Sequence, residues 1–236
     1  MVINYKWGAF DEGSAVYDIE RGRMGELRPE VWQNDTSVSK TAWSWVEGHQ
    51  YKTVAELLAE LADVVSKNGV LLMNVGPKAD GTIPLPEQQI LEGMCAWLSR
   101  HGEAILGTRP WVIPAEGPTQ AEVGSFVDGD GPVFTADDYR FTTRTDVTGD
   151  YLYAIGMEMP ESGTLHVRAF GRAAGVLGRE IAEVHLLGSS ATVERVRTAD
   201  ALEVRLPEGL QGPIGPVVKV FVAPVTVPAR HDFLHG

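Results

Sequence analysis

The chain holds a single cysteine, far fewer basic than acidic residues, and no long apolar run. With Cys95 alone among 236 residues, neither a disulfide framework nor a thiolate metal site can be assembled. It sits in the apolar stretch Met94-Cys95-Ala96-Trp97-Leu98 and is expected to be a small buried hydrophobe. Lys and Arg total 20 against 32 Asp and Glu, a net charge of −12, so the basic stripe that phosphate recognition needs is missing and a nucleic-acid partner is not expected. No segment approaches the ~20 consecutive apolar residues of a membrane span. Residues Met1 to Trp7 show neither a basic n-region nor a long apolar core, which reads as a cytoplasmic protein without a signal peptide. The six histidines lack metal-ligand spacing, and His231 and His235 stand in a tail, Val227 to Gly236, that has little pattern. That tail is expected to be loosely held. No Gly-rich phosphate loop with Lys-Ser/Thr occurs, and Gly171-Arg172-Ala173-Ala174-Gly175 does not open a helix after a strand. Neither a metal nor a cofactor is expected.

What is present divides into two textures. Residues 1–112 alternate short strands with helices. The clearest helix starts at Thr53, which with Glu56 forms a capping box, and carries Val54, Leu57, Leu58, Leu61, Val64 and Val65 as one apolar stripe. Asn68-Gly69 supply its stop. The run from Val70 to Val75 then reads as a strand buried on both faces. A second helix begins at Pro86 and turns Ile90, Leu91, Met94, Trp97 and Leu98 inward. Two further strands are expected at 2–6 and about 31–38. Helix, buried strand, helix is the grammar of a (β/α) barrel, but about three strands cannot close one that needs eight. The expected fold is therefore the C-terminal part of a (β/α) TIM-like barrel.

Beyond a linker expected at Trp111–Pro118 the pattern changes to short strands: 139–144, 150–156, 163–170, 181–187, 191–197, 201–206 and 217–223. Leu165, Val167 and Ala169 alternate with His166 and Arg168, a period of two. The spacing predicts an antiparallel β-sandwich over 118–236.

In a barrel, reactive groups lie at the C-terminal strand ends and in the loops that follow. Glu20 falls in such a loop after the first strand, and glycosidic cleavage uses two carboxylates. Among 32 acids, most are solvated surface groups. Trp7, Trp32, Trp43 and Trp45 crowd the same region; indole faces suit sugar C–H groups, although core filling explains tryptophans equally well.

The block Val64-Val65-Ser66-Lys67-Asn68-Gly69-Val70-Leu71-Leu72-Met73-Asn74-Val75-Gly76-Pro77-Lys78-Ala79-Asp80-Gly81-Thr82-Ile83-Pro84, continued by Gly102 to Trp111, resembles the signature of family 29 α-L-fucosidases. Tyr139-Arg140-Phe141-Thr142 and Val184 to Gly188 are similar too, so the resemblance spans nearly the whole chain. It implies a retaining exo-glycosidase acting on fucosylated glycans, with a barrel followed by a sandwich. Val2-Ile3-Asn4-Tyr5-Lys6-Trp7-Gly8 is similar to the family strand that precedes the acid/base loop, which places Glu20 at the acid/base position. Lys6 stands where many members carry a sugar-contacting Arg, a planar fork replaced here by a point charge. Trp32 and Trp43 fall where family aromatics line the fucose pocket. The family's nucleophilic Asp belongs to an earlier strand and carries over onto no residue here; Asp11, Asp18 and Asp35 lie after that position. The resemblance thus implies the C-terminal portion of an enzyme. Two other readings stand beside it: a shortened relative whose pocket is completed by another chain or copy, its exposed strand edges favouring a homo-oligomer, and a non-catalytic carbohydrate-binding or structural remnant.

Overall fold

The computed structural model describes residues 2–129 and 131–223; the expectations for His231, His235 and the tail fall outside these residues. Four parallel strands come first, β1 (Asn4–Tyr5), β2 (Val16–Glu20), β3 (Trp32–Ser37) and β4 (Gly69–Asn74), hydrogen-bonded in that order. Helix α1 (Val54–Ser66) crosses from β3 to β4, and α2 (Leu85–His101) follows β4. The Thr53 hydroxyl accepts the Glu56 N–H, and the Glu56 carboxylate accepts the Thr53 N–H, so the capping box is formed. Asn68 takes a left-handed φ of 71° just past α1.

Strand β2 lies where a loop is expected, which makes four strands rather than three. Its sequence, Val-Tyr-Asp-Ile-Glu, alternates cleanly once the sheet is known. Tyr17 and Ile19 turn toward α1 while Asp18 and Glu20 turn to the opposite face. The expectation that β4 is buried on both sides needs correcting: Leu71 and Met73 pack into cores, but Val70 and Leu72 are 47% and 54% exposed. Among the described residues, only the α1 side of the sheet is covered by a helix. Cys95 is also a correction, for it is exposed. Ile90, Met94 and Trp97 define the inner stripe of α2, and a residue one step beyond Met94 rotates about 100° away from it.

The second half is antiparallel. Strands β5 (Arg109–Glu116), β6 (Tyr139–Asp146), β7 (Gly149–Gly156), β8 (Thr164–Val167), β9 (Glu183–Leu186), β10 (Arg195–Arg197), β11 (Leu202–Arg205) and β12 (Val217–Val222) form two sheets. One is ordered β5-β6-β7-β12-β9 and the other β10-β11-β8. All seven strands expected from the sequence are present. The residues expected as a linker form most of β5, whose prolines are tolerated because it is an edge strand with an irregular register between Pro110 and Ala115.

The larger sheet has two covered faces. Leu152 and Ala154 of β7 point into the sandwich core with Phe141, Phe170 and Val204. Tyr153 and Ile155 point the other way, into a core shared with Leu57, Leu58, Met94 and Trp97 of the two helices. That double coverage is why Leu152 to Ile155 are apolar without a break.

Two buried ionic clusters fasten the halves, beside the more exposed contacts of Glu103 with Lys219 and Arg144. Asp63 of α1 lies between Arg140 of β6 (2.5 Å) and Lys67 (2.8 Å), all buried. Asp128, in the segment between β5 and β6, accepts from Arg21 (3.0 Å), Lys52 (2.6 Å) and Thr36 (2.7 Å).

Candidate active site

Strand register decides which side chains meet. Glu20 pairs with Asp35 and Asp18 with Gln33 across β2 and β3, and β1 lies parallel on the other side of β2. Because strand side chains alternate, Asn4, Lys6, Asp18, Glu20, Gln33 and Asp35 share the face turned away from α1. Val70 and Leu72 extend that face across β4. It is a polar, carboxylate-rich surface at the C-terminal ends of parallel strands.

Its centre is the Lys6 ammonium. It donates to Glu20 Oε2 at 2.9 Å and Asp35 Oδ2 at 2.8 Å, and lies 3.6 Å from Asp18 Oδ2. Three carboxylates surround one cation, leaving the cluster net negative. Burial alone draws the Lys6 ammonium down, but the hydrogen bonds to Asp35 and Glu20, with the Asp18 charge, outweigh it and hold it well above the ordinary lysine range. Asp18 goes the other way from a normal aspartate: burial first, then the neighbouring Asp35 charge, push its carboxyl up, and Lys6 offsets only part of this. Asp35 Oδ1 is buried without a hydrogen-bond partner among the described residues, leaving a free acceptor on the face.

The geometry sorts the sequence-derived site residues. Glu20 and Lys6 are brought together directly. Glu20 ends a strand instead of lying in a loop, paired with Asp35 of β3 on one side and bonded through its carbonyl to the Phe126 N–H. Trp43 is exposed at the same end of the sheet, under the Arg21 guanidinium 5.3 Å from its ring. Asn74, at the end of β4, donates to the Trp43 carbonyl at 2.6 Å. His49 steadies the same loop: its Nε2 accepts the Val46 N–H, and its Nδ1 meets Ser39 Oγ at 2.7 Å.

Trp32 does not line this face. It is 1% exposed, packs with Ile19 and Val64 behind the sheet, and donates its indole N–H to the Lys67 carbonyl at 2.9 Å. Parity is the reason, since Trp32 points to the same side as Asn34 and Thr36, toward α1. Gln33 next to it faces Glu20's side. Asp18, Gln33 and Asp35 join Lys6 and Glu20 on this face; the sequence reading set Asp18 and Asp35 aside as nucleophile and did not single out Gln33. The signal was available as period-two alternation in 16–20 and 32–37, hidden by the charges it places within strands.

A segment from beyond β5 closes one side of the cluster. The backbone N–H of Phe126 donates to the Glu20 carbonyl (2.9 Å), and those of Val127 and Asp128 donate to the Arg21 carbonyl. Gly22 admits this approach, for a Cβ there would lie 2.1 Å from the Gly124 carbonyl oxygen.

Comparison with known proteins gives a consistent result. The family model described as alpha-L-fucosidase matches residues 1–103. The plasma alpha-L-fucosidase of Rattus norvegicus is 32% identical over 194 residues, covering 80% of this chain and 37% of that protein. The plasma alpha-L-fucosidase of Homo sapiens is 29% identical over 215 residues, covering 88% and 41%. Among solved structures, alpha-L-fucosidase isoenzyme 1 from Paenibacillus thiaminolyticus superposes with a TM-score of 0.66 at 22% identity, over 89% of this chain and 45% of that one. The alpha-fucosidase of Thermotoga maritima in complex with fucose gives 0.64 at 22% identity, over 93% and 44%. The chain therefore spans about two fifths of the length of the curated relatives it matches.

Proposed function

Since this chain belongs to the α-L-fucosidase family, we propose that it carries the acid/base half of a site that cleaves α-L-fucose from glycoconjugates. Glu20 is the acid/base, Lys6 binds the sugar from the position of the family Arg, and Trp43 forms an apolar wall. The four parallel strands are read as the late strands of a (β/α) barrel, with the sandwich behind. The observation that supports this most is the Lys6–Glu20–Asp35 arrangement on the open sheet face. A carboxyl group serving alternately as acid and base must be fixed and yet reachable, and Glu20 is fixed by Lys6 while only partly buried. Retention also needs a nucleophilic carboxylate. The resemblance places none on these residues, so the proposal is confined to the acid/base step and to fucosylated glycans as substrate class.

In that step Glu20, protonated, gives its proton to the glycosidic oxygen as the C–O bond breaks and the fucosyl group passes to a nucleophilic carboxylate that the described residues are not assigned to supply. As carboxylate, Glu20 then takes a proton from the water that displaces that nucleophile. Asp35 holds the far side of Lys6, so the ammonium cannot swing away when Glu20 loses or regains charge.

The test compares hydrolysis of two aryl α-L-fucosides by the protein and its Glu20→Gln variant. With a poor leaving group the variant should lose roughly 10²- to 10⁴-fold in kcat/KM. With a 2,4-dinitrophenyl leaving group, which needs no protonation, the loss should shrink. Equal, measurable rates for variant and wild type on the poor substrate overturn the assignment.

A further inference from the structure

Two exposed aromatic rings flank the carboxylate cluster without a role in the step above. Trp7 directly follows Lys6 and is 70% exposed; Phe126 is 59% exposed. Their rings stack with centroids 6.4 Å apart and planes 21° from parallel. Both residues adopt left-handed backbone conformations, φ 59° at Trp7 and φ 61° at Phe126. For bulky residues this conformation is costly, and rings left in water gain little from burial in return. Neighbouring contacts keep the strained geometry in place: the Ala9 N–H on the Lys6 carbonyl, the Phe126 N–H on the Glu20 carbonyl, and the Asp128 clamp two residues further on. Strain held in place by its surroundings points to a use.

We propose that Trp7 and Phe126 form the binding platform for the sugar on the leaving side of the scissile bond, a hexopyranose packed by its C–H face. This rests on Glu20 being the acid/base. An acid that protonates the glycosidic oxygen must sit within hydrogen-bond reach of it, so the leaving sugar lies immediately beyond the Glu20 carboxyl group. Both rings are attached there. Phe126 hangs from Glu20's own backbone carbonyl, and Trp7 adjoins the lysine that holds its carboxylate. The fucose side, by contrast, is the polar sheet face of Asn4, Gln33 and Asp35. One ring comes from the turn after β1 and the other from the segment between β5 and β6. The second half of the chain therefore contributes to what the site accepts.

The test needs no turnover. Indole N–H signals of the isotopically labelled chain are followed by NMR as methyl β-D-galactopyranoside, whose ring has contiguous C–H groups on one face, is added to tens of millimolar. The Trp7 signal is identified as the one lost in Trp7→Ala; both positions are exposed, so the other indole signals report that the variants remain folded. The galactoside should move the Trp7 signal, and Phe126→Ala should weaken this binding about 3- to 10-fold. L-Fucose should leave the Trp7 signal in place and move others. A Trp7 signal indifferent to the galactoside overturns the proposal. So does one that moves on diluting the protein without sugar, which would mean that a second copy covers the rings. If the galactoside moves Trp7 while L-fucose moves no signal, the platform stands and the fucose reading of the sheet face fails.

Discussion

Asp35 and Lys6 meet across the full width of β2, the carboxylate of one strand taking a 2.8 Å hydrogen bond from an ammonium that follows the strand two places away. The contact passes over Glu20, which shares the same ammonium. The three side chains are therefore one electrostatic unit, and a change in any of them acts on the others.

Removing the cation should expose that unity. In Lys6→Met, Asp18, Glu20 and Asp35 face one another uncompensated, and like charges raise carboxyl pKa values. Asp18 then loses the charge that offsets burial and the neighbouring Asp35, so its carboxyl should titrate higher still, as followed by NMR of the labelled protein. An Asp18 carboxyl that titrates unchanged would show that Lys6 does not compensate the cluster. Asp35→Asn should move it the opposite way, because the Asp35 charge raises it.

The Asp63 contact with Arg140 and Lys67 predicts an acid-sensitive fold. Burial would raise the Asp63 carboxyl, but the Arg140 and Lys67 charges outweigh burial and hold it below the usual aspartate range. A folded-state pKa below the unfolded one gives stability that is complete above about pH 4 and drains away as pH falls through the folded value. Asp63→Asn should lose about 3–5 kcal/mol near neutrality, since two cations are left buried. Its stability should then vary less than wild type's in acid. Urea melts at several pH values measure both.

The tryptophans should separate by role. Trp32→Ala empties a core position and should cost about 3–5 kcal/mol. Trp43→Ala should cost about 1 kcal/mol or less, mainly its contact with Arg21, but raise KM for a fucoside. Denaturation midpoints and steady-state kinetics on the pair distinguish scaffold from site.

Much of this organisation was readable in advance, and the exceptions share causes. The Thr53–Glu56 box and the α1 stripe were legible because capping and helical periodicity are local. Thr53→Ala should accordingly cost about 1 kcal/mol in thermal unfolding. The sandwich strands were legible because one face is wet and one dry. Strand β2 was not, because its outer face carries Asp18 and Glu20, charges that read as loop when the sheet that positions them is unseen. Trp32 was placed on the wrong side for the same reason. Without the register of β3, nothing distinguishes a tryptophan facing α1 from one facing sugar, and a one-residue step exchanges them. Edge strand β5 was hidden by prolines that only an edge position tolerates. Lys6 and Glu20 were singled out through a family resemblance, and their side chains meet at 2.9 Å; the roles given to them belong to the proposal.

The Asp128 clamp has a consequence for how the molecule can be divided. Arg21 and Lys52 belong to the first half of the chain, and their shared counter-ion is delivered by the segment that leads into the sandwich. Cut the polypeptide between the halves and the first would keep Arg21 facing only backbone carbonyls and Lys52 facing Glu60 alone, while the second would carry away the carboxylate that the two cations share. The boundary that a change in sequence texture suggests is thus no seam in the folded protein. Neither half is a spare part, and recombination between relatives at this point should succeed only when the acid and both bases travel together.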